Sequence, residues 1–334
     1  MRARRSAVLT LIAVATLALG ACGSPGSGGG KAEPTSSGGA SAIAICDPVP
    51  GDKLVVLTDD KGLQNADNII PAVNKAAADA NPAIIENLDK VSAALDTTKL
   101  IALNKAVDID HRTSSDVAKE FVDTEKLAAS DSSAGAGTSL TVGAPNFSEG
   151  ATLAEIYAAV LRSAGFNATT QTVGNRETYL PALTGGTLAA VPEYAATLAD
   201  FLNTQANGTD AKSVASPDVD ATVAALTPLA TAAGLTVGKA SAAQDQNAFA
   251  VSDKFAAMHG VKTLSDLAAT CSGLILAGPA ECPQRPFCQL GLENTYGLQF
   301  ADFKSYDFGL IGQAVLKGEA AIGLVLSSDG ALAS

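Results

Sequence analysis

The sequence has no tryptophan, and its 334 residues include only two histidines and five tyrosines. Histidine is the usual general base of enzymes and a common metal ligand, so both kinds of site have few candidates. No Gly-x-Ser-x-Gly, His-Glu-x-x-His or Gly-x-Gly-x-x-Gly motif follows a predicted strand, which disfavours hydrolases, metalloproteases and dinucleotide-binding enzymes. These absences predict a protein that is not an enzyme and that uses neither a cofactor nor a metal.

Basic residues are also scarce, since 22 Lys and Arg stand against 34 Asp and Glu, and the formal charge is −12. A surface this negative repels phosphate backbones and anionic lipid headgroups, so nucleic acid is disfavoured as a partner. Apolar residues make up 47% of the chain, which excludes a wholly disordered protein. The length suffices for one large domain or two ordinary ones.

The amino end combines a basic cluster with a short apolar run. Three arginines among the first five residues precede an apolar segment over residues 7–19, which is shorter than the ~20 residues of a membrane-spanning helix. The segment ends in Leu19-Gly20-Ala21-Cys22, which resembles the bacterial lipobox. We therefore predict a lipoprotein signal peptide over residues 1–21 and a lipid anchor on Cys22, at the extracytoplasmic face of a bacterial membrane. The alternative is an ordinary secretory signal in which Cys22 is incidental.

Residues 22–45 are rich in Gly, Ser and Pro and show no apolar periodicity, which predicts a flexible tether. The stretch Gly28-Gly29-Gly30-Lys31 is not a phosphate-binding loop, because Ala32 stands where such a loop needs Ser or Thr. A second linker of similar composition is predicted at residues 129–138.

Four cysteines remain beyond Cys22, and an even number in an oxidising compartment favours disulfides. Cys282 and Cys288 bracket a five-residue turn with two prolines, which holds the thiols close. We therefore predict the pairs Cys282–Cys288 and Cys46–Cys271. A zinc site is the alternative, but the spacing of Cys282 and Cys288 is unusual for zinc and both histidines lie far away in the sequence.

Strand-like and helical patterns alternate along the rest of the chain. Short apolar runs at residues 53–57, 140–143 and 321–326 predict buried strands, whereas residues 149–164 carry an apolar stripe at helical spacing. This alternation predicts an α/β architecture with largely parallel sheets, in a body long enough for two lobes.

Five stretches in the second part of the chain carry a resemblance to a known family. They are VGAPNFSE (142–149), NRETYLPAL (175–183), VPEYAAT (191–197), QDQNAFAV (244–251) and LSSDG (326–330). In their order and spacing they resemble the choline/glycine-betaine (osmoprotectant) class of substrate-binding lipoproteins that serve ABC importers. The resemblance implies an α/β protein of the two-lobed periplasmic-binding-protein-like (type II) fold, with a ligand cleft between the lobes.

The resemblance also implies which residues hold the ligand. A methylated ammonium cannot donate hydrogen bonds, so aromatic faces and acidic groups hold it, whereas a carboxylate needs an Arg or backbone N–H groups. Tyr194 and Thr197 match the cage segment of the family, Asp245 an acidic cage residue and Arg285 a carboxylate-binding Arg. The full set of implied ligand-binding residues is Asn146, Tyr194, Thr197, Asp245, Asn247, Arg285 and Ser327.

The chain departs from the family at Pro145, where Lys is common, and at Asn247 and Leu326, where the family has cage tyrosines. On its predicted helix, Tyr157 is expected in the core and not in the cage. Arg285 has an alternative role, which is to brace the loop between Cys282 and Cys288.

The order of the segments also differs from that of the family, whose members continue past the Ser-x-Asp segment into a strand and further helices. Residues 53–121 resemble that continuation, placed first, which we interpret as a circular permutation with its old termini joined by the second linker. The alternative is a truncated binding protein behind an unrelated domain. The predicted organisation is lobe 1 from residues 46–128 plus 139–240, a linker at 129–138, and lobe 2 at 241–334, with residues 53–57 in the same lobe as residues 140–142.

The sequence thus predicts a lipid-anchored solute-binding protein that captures a quaternary-ammonium or betaine-like zwitterion and delivers it to the permease and ATPase of an ABC importer. The alternative is a surface lipoprotein that senses or scaffolds without transport and has a degenerate cleft. Convergence of Tyr194, Asp245 and Arg285 on one cleft distinguishes the first function from the second.

Overall fold

The structure, a computed structural model, describes residues 43–208, 210–280 and 282–333. The predicted signal peptide, Cys22 and the first part of the predicted tether lie outside these residues. No helix in the described part of the chain is long and apolar enough to cross a membrane.

Within the described residues, the strands form two five-stranded sheets and a small two-stranded one. The strands are β1 (Ala44–Ile45), β2 (Leu54–Leu57), β3 (Ile69–Asn74), β4 (Ser139–Ala144), β5 (Asn167–Thr172), β6 (Ala190–Tyr194), β7 (Leu235–Val237), β8 (Asn247–Ser252), β9 (Cys271–Ser272), β10 (Leu274–Gly278), β11 (Phe300–Ser305) and β12 (Ile322–Leu326).

Helices connect most of these strands and cover the large sheets. They are α1 (Lys75–Ala80), α2 (Ala83–Ala94), α3 (Thr97–Asp108), α4 (Ser114–Thr124), α5 (Ser148–Ser163), α6 (Arg176–Thr184), α7 (Ala195–Asn207), α8 (Val219–Ala232), α9 (Asp253–His259), α10 (Leu264–Thr270), α11 (Gln289–Gly291) and α12 (Phe308–Leu316). A π-helical turn at Leu292–Tyr296 follows α11, and a 3-10 turn lies at Gly330–Ala333.

Lobe 1 is built on the sheet β5-β4-β6-β3-β7, in which β4 runs parallel to β5 and β6 while β3 runs antiparallel to both of its neighbours. On one face, Leu88, Leu100 and Phe121 from α2, α3 and α4 share a core with Val142 of β4. On the other face, α6, α7 and α8 pack on the sheet. The helices between residues 82 and 121 therefore have no separate core and are part of lobe 1.

Lobe 2 is built on the sheet β11-β10-β12-β8-β2, in which β8 runs antiparallel to both β12 and β2. Phe249 packs with Phe255 and Leu267 on one face, and α12 covers the other face through Ile311 and Val315. In each large sheet four strands run in one direction and one, β3 or β8, runs antiparallel to both of its neighbours, so the prediction of largely parallel sheets holds except for these two strands. Since they are buried on both faces, they have the continuous apolar pattern that parallel strands also show.

The position of β2 differs from the prediction. Leu54–Leu57 pairs with β8, so residues 53–57 lie in lobe 2 and not in the lobe of residues 140–142. Cys46 and Val49 pack in the core of lobe 2 as well, so the predicted place of residues 46–57 in lobe 1 is wrong. An apolar run identifies a strand but not its partner. Leu57 is 2% exposed while Val56 is 38% exposed, which is a half-buried pattern that fits the edge of either sheet.

Two segments carry the chain between the lobes, residues 58–68 and residues 238–246. They lie side by side, because the N–H of Asp245 donates a 3.2 Å hydrogen bond to the carbonyl of Asp67. The chain after β12 returns to the same place, where the N–H of Ser327 donates to the carbonyl of Gln246 at 2.8 Å. Three stretches of backbone therefore meet at the junction of the lobes.

Both predicted disulfides, Cys46–Cys271 and Cys282–Cys288, are present in the structure. The first holds β1 against β9, so the last residues of the predicted tether are paired and not free. His259 Nδ1 lies 3.5 Å from Cys46 Sγ, which shows that distance in the sequence was a poor reason to exclude a zinc site there. The two sulphur atoms that would bind zinc are instead joined to each other.

Candidate functional site

A cavity of about 460 Å³ lies at the junction of the lobes, beside the crossing segments. This volume is within the ~300–1,000 Å³ typical of small-molecule sites. The residues that line the cavity are Gln64, Asn65, Asp67, Arg176, Ala196, Thr197, Asp200, Phe201, Thr204, Asp245, Gln246, Asn247, Phe287 and Leu326. Both lobes and both crossing segments therefore contribute to its wall.

Asp67 caps the helix that forms one side of the cavity. Its Oδ1 accepts hydrogen bonds from the N–H groups of Ala196 and Thr197 at 2.9 and 3.0 Å. These groups belong to the first turn of α7 and have no acceptor within the helix. Burial raises the pKa of Asp67 to about 6, although these hydrogen bonds and the charge of Arg176 act in the opposite direction.

Arg176, the first residue of α6, is held by a carboxylate that solvent does not reach. Glu193 on β6 is 0% exposed and accepts hydrogen bonds from Nε of Arg176 at 3.0 Å and from Nη2 at 2.7 Å. Because this pair is bidentate, it fixes the plane of the guanidinium. Nη2 also donates to the hydroxyl of Thr197 at 2.9 Å. Among the described residues Nη1 has no acceptor, so one edge of the guanidinium is available at the cavity wall.

Asp245 belongs to a polar network that links the two lobes. The hydroxyl of Ser328 donates to Asp245 Oδ1 at 2.8 Å. Nδ2 of Asn104 donates to the carbonyl of Ser328 at 2.8 Å and to Glu149 Oε2 at 2.6 Å. The hydroxyl of Tyr194 completes the network with a 2.6 Å hydrogen bond to Glu149 Oε1. The carboxyl at the cavity wall is therefore positioned by residues from both lobes.

The two carboxyls of this network affect each other's ionisation. Burial, together with the neighbouring carboxyl of Glu149, raises the pKa of Asp245 to about 7 against the opposing hydrogen bond from Ser328. Burial also raises the pKa of Glu149, against the hydrogen bonds from Tyr194 and Asn104. A positive charge brought next to Asp245 favours its ionised form, so the arrangement is suited to a cation.

The loop closed by Cys282–Cys288 brings Phe287 to the cavity. The carbonyl of Phe287 accepts hydrogen bonds from Nε2 of Gln64 at 3.1 Å and from Nδ2 of Asn247 at 3.3 Å. These two amides come from the crossing segment and from β8, so they fasten the loop to the body of the protein. Within the part of the chain that the structure describes, no tyrosine lines the cavity.

Of the seven residues predicted to bind ligand, the structure brings Thr197, Asp245 and Asn247 together in the cavity wall. Ser327 lies directly behind the wall, because its Oγ accepts a hydrogen bond from the N–H of Gln246 at 3.0 Å. All four residues lie in the sequence stretches that carry the family resemblance, so those stretches correctly indicated this part of the cavity.

The other three predicted residues, Asn146, Tyr194 and Arg285, do not line the cavity. Asn146 is exposed, and the hydroxyl of Tyr194 is bonded to the buried Glu149. Arg285 is exposed in its loop, where only its backbone bonds to described residues, through Cys282 and Cys288. The predicted convergence of Tyr194, Asp245 and Arg285 on one cleft therefore does not occur.

The prediction missed Asp67, Arg176, Phe201 and Phe287. Arg176 lies in one of the stretches that carry the resemblance, but its partner Glu193 is 17 residues away. A signal for the pair was present, because an acidic residue inside an apolar strand needs a positive or hydrogen-bonding partner once it is buried. The sequence contains no comparable signal for the two phenylalanines.

Two α/β lobes with mixed sheets, and a cavity at their junction with charged side chains in its wall, define a solute-binding protein of the type II periplasmic-binding-protein fold. The chain belongs to the OpuAC family, described as the substrate-binding domain of ABC-type glycine betaine transport systems, whose model matches residues 49–124 and 138–334. It is therefore a substrate-binding protein of an ABC importer and not an enzyme.

Among solved structures, the chain is similar to a crystal structure of a glycine betaine/carnitine/choline ABC transporter. The TM-score is 0.46 and the sequence identity 17%, over 59% of this chain and 70% of that chain. No curated protein sequence matches the chain.

Proposed function

We propose that the protein captures a small solute of the betaine type in the cavity at the junction of the lobes and delivers it to the permease and ATPase of an ABC importer. The observation that carries this proposal is that the carboxyls of Asp67 and Asp245 and the guanidinium of Arg176 line one cavity of about 460 Å³. A betaine-like zwitterion has a positively charged nitrogen and an anionic group, which match these two kinds of side chain.

The contacts available at the wall favour this assignment. The two carboxyls are suited to a positive nitrogen, and Arg176, whose Nη1 has no acceptor among the described residues, is suited to a carboxylate. Phe201 and Phe287 offer apolar ring surface to methyl or methylene groups. The description of the family, which names glycine betaine transport, supports the same class of ligand.

A thermal-shift and calorimetric screen tests the proposal. The panel contains choline, glycine betaine, carnitine, ergothioneine and proline betaine, each also paired with its analogue that carries one methyl fewer on nitrogen. A ligand present at a hundredfold its dissociation constant adds about 2.7 kcal/mol to the free energy of unfolding. The control is the uncharged analogue of choline in which a carbon atom replaces the nitrogen, and it is expected not to shift the unfolding transition. The proposal is wrong if no charged compound of the panel shifts the transition.

For the location of the protein, we propose a lipid anchor on Cys22 at the extracytoplasmic face of the membrane. The lipobox-like Leu19-Gly20-Ala21-Cys22 after an apolar run supports this. Cys22→Ser is expected to release the protein into the medium or to leave an uncleaved precursor, as seen by fractionation and mass spectrometry. Cys46→Ser, which leaves the lipobox intact, is the matched control and is expected to stay membrane-bound. Unchanged membrane retention of the Cys22 variant would contradict the anchor.

For the order of the chain, we propose a circular permutation relative to the family. The family matches in two blocks, and residues 125–137 between them are unmatched. The turn Gly330–Ala333 also approaches β2, with Cα atoms within 8 Å, so a short bridge can join these parts.

A rearranged variant tests the permutation. It runs from residue 138 to 333 and then continues, through a short Gly/Ser bridge, into residues 43–124. It is expected to fold and to bind the same ligand with an affinity within about threefold, because surface connections tolerate rejoining. The original order with the same bridge inserted at residues 129–138 is the control. If the rearranged chain does not fold while the control does, the result contradicts the circular permutation.

A further inference from the structure

The cavity has little aromatic surface with which to hold a quaternary ammonium. Such a nitrogen has no N–H, so its recognition relies on aromatic faces packed around its methyl groups. The aromatic side chains in the wall are Phe201 and Phe287. The guanidinium of Arg176 already lies over Phe201, with Cζ 5.8 Å from the ring centroid, and Phe287 is 40% exposed.

Tryptophan and tyrosine, which could complete a cage, are not available. The chain has no Trp. None of its tyrosines lines the cavity in the described residues, and four of them donate their hydroxyls to acids elsewhere: Tyr179 to Glu193, Tyr194 to Glu149, Tyr296 to Asp59 and Tyr306 to Glu319. The fifth, Tyr157, is buried in the core of lobe 1. A closed aromatic cage therefore cannot form from the present wall.

The wall instead offers hydrogen-bond acceptors. Asp67 uses Oδ1 to cap α7, and Asp245 uses Oδ1 to accept from Ser328. In the described part of the chain, the second oxygen of each carboxyl, Oδ2, has no donor. The two residues are neighbours, since the N–H of Asp245 bonds to the carbonyl of Asp67. Two unpaired carboxylate oxygens thus belong to adjacent residues of one wall.

The third acid of the wall behaves differently and serves as a comparison. Asp200 accepts from the N–H of Val214 and the hydroxyl of Ser213, so both of its oxygens are occupied. It therefore holds the loop after α7, and its hydrogen bonds do not depend on a ligand. Unoccupied acceptors are found at Asp67 and Asp245, where the crossing segments meet.

From this geometry we infer that the ligand of the cavity carries a nitrogen that keeps at least one N–H, so that it is a protonated amine and not a quaternary ammonium. The inference rests on the proposed function and narrows its substrate class. An N–H on a positive nitrogen donates a charge-assisted hydrogen bond to Asp67 or Asp245, whereas a trimethylated nitrogen leaves both oxygens without a donor. The free edge of Arg176 takes the carboxylate of such a ligand.

Matched pairs of compounds test this inference, because one methyl group decides between the two classes. The pairs are glycine betaine with N,N-dimethylglycine, proline betaine with N-methylproline, and choline with its dimethylamino analogue. Calorimetric titration of the native protein is done at a pH where every amine is protonated. In any pair that binds, the member with an N–H is expected to bind at least about tenfold more tightly, which corresponds to ~1.4 kcal/mol.

The outcomes separate this inference from the function on which it rests. If a quaternary member binds as tightly as its partner or more tightly, the inference is wrong and the proposed function stands. If neither member of any pair binds, and no other compound of the panel binds, the inference and the proposed function are both wrong.

A pair of variants checks that the acids cause the preference. Asp67→Asn and Asp245→Asn keep one acceptor oxygen for their existing hydrogen bonds, remove the charge and replace the unpaired acceptor oxygen by an NH2 donor. Each variant is expected to reduce the ratio between the affinity for the compound with an N–H and the affinity for its quaternary partner. Asp200→Asn is the matched control and is expected to leave the ratio unchanged. An unchanged ratio in both Asp67 and Asp245 variants would overturn the assignment.

Discussion

The hydroxyl of Tyr194 donates a 2.6 Å hydrogen bond to Glu149, whose carboxyl is buried with 5% of the residue exposed. Tyr194 was expected to hold ligand with its ring, but this bond directs it to the network behind the cavity. Its main role is therefore structural, as a donor to a buried acid that joins helix α5 to strand β6.

Tyr194→Phe keeps the ring and removes this donor. The free energy of unfolding is expected to fall by about 1–3 kcal/mol, because a buried acceptor loses its partner, while ligand affinity changes little. Denaturant unfolding and calorimetry measure the two effects.

Tyr157→Phe is the matched control. The hydroxyl of Tyr157 is buried and has no partner in the described residues, so its removal is expected to leave stability unchanged or to raise it. A Tyr194 variant that loses affinity but no stability would contradict the structural role.

Ligand affinity is expected to fall as the pH falls. The pKa of Asp245 is raised to about 7 and that of Asp67 to about 6, and a cation binds to the ionised carboxylates. The neighbouring acids Glu149, Asp67 and Asp329 also raise the pKa of Asp245, whereas the hydrogen bond from Ser328 lowers it. Protons must therefore leave when a cation binds near neutral pH.

Calorimetry in buffers of different ionisation enthalpy counts these protons. Net release is expected at about pH 6–7, together with weaker binding at about pH 5.5 than at about pH 8. An affinity that is the same at both ends of this range, with no proton release, would show that the acids do not contact the ligand's charge.

The stability of the empty protein is expected to change with pH in the opposite sense. The folded pKa of Asp245, about 7, lies above the ordinary aspartate value of 3.8, so the folded state holds this proton more tightly. The stabilisation is complete below about pH 4 and is lost as the pH rises through about 7. Asp245→Asn is expected to flatten this part of the stability profile. If the free energy of unfolding of Asp245→Asn depends on pH as steeply as that of the native protein, the titrating group is not Asp245.

The two disulfides are expected to have different effects. Cys46–Cys271 joins residues 225 apart in sequence and Cys282–Cys288 residues six apart. Replacing the first pair by serine is expected to cost more stability, because the closed loop is longer, with ~2–4 kcal/mol as the typical range. Replacing the second is expected to weaken ligand binding, since it frees the loop that carries Phe287. Reversed effects in unfolding and titration experiments would contradict this division.

Much of the fold could be predicted from local patterns. The apolar stripe of α5 and the continuous apolar run of β12 are both found where expected, because a buried face imposes its own periodicity. The partner of each strand could not be predicted in the same way. β2 pairs with β8 in lobe 2, and the chain crosses to lobe 1 only afterwards, through residues 58–68. No local signal in that segment marks the crossing.

The site was predictable only where motif position and geometry agree. Thr197, Asp245 and Asn247 reach the cavity wall, whereas Arg285 lies in a loop whose shape is set by backbone hydrogen bonds and a disulfide. Arg176 reaches the wall because the buried Glu193 holds it. An acid inside an apolar strand signals that Glu193 needs a partner, but the partner lies in another element, so only the folded chain identifies it as Arg176.

The most direct test of the ligand site is the affinity of one ligand for three proteins. The dissociation constant of the tightest compound in the panel is measured at about pH 8, where Asp245 is largely ionised, for the native protein, Asp245→Asn and Asp329→Asn. Asp329 is a nearby acid outside the cavity wall, so its variant controls for a general loss of negative charge. We predict that Asp245→Asn weakens binding at least about tenfold and that Asp329→Asn changes it less than about twofold. Equal affinities for the native protein and the Asp245 variant would show that the cation does not bind at the junction of the lobes.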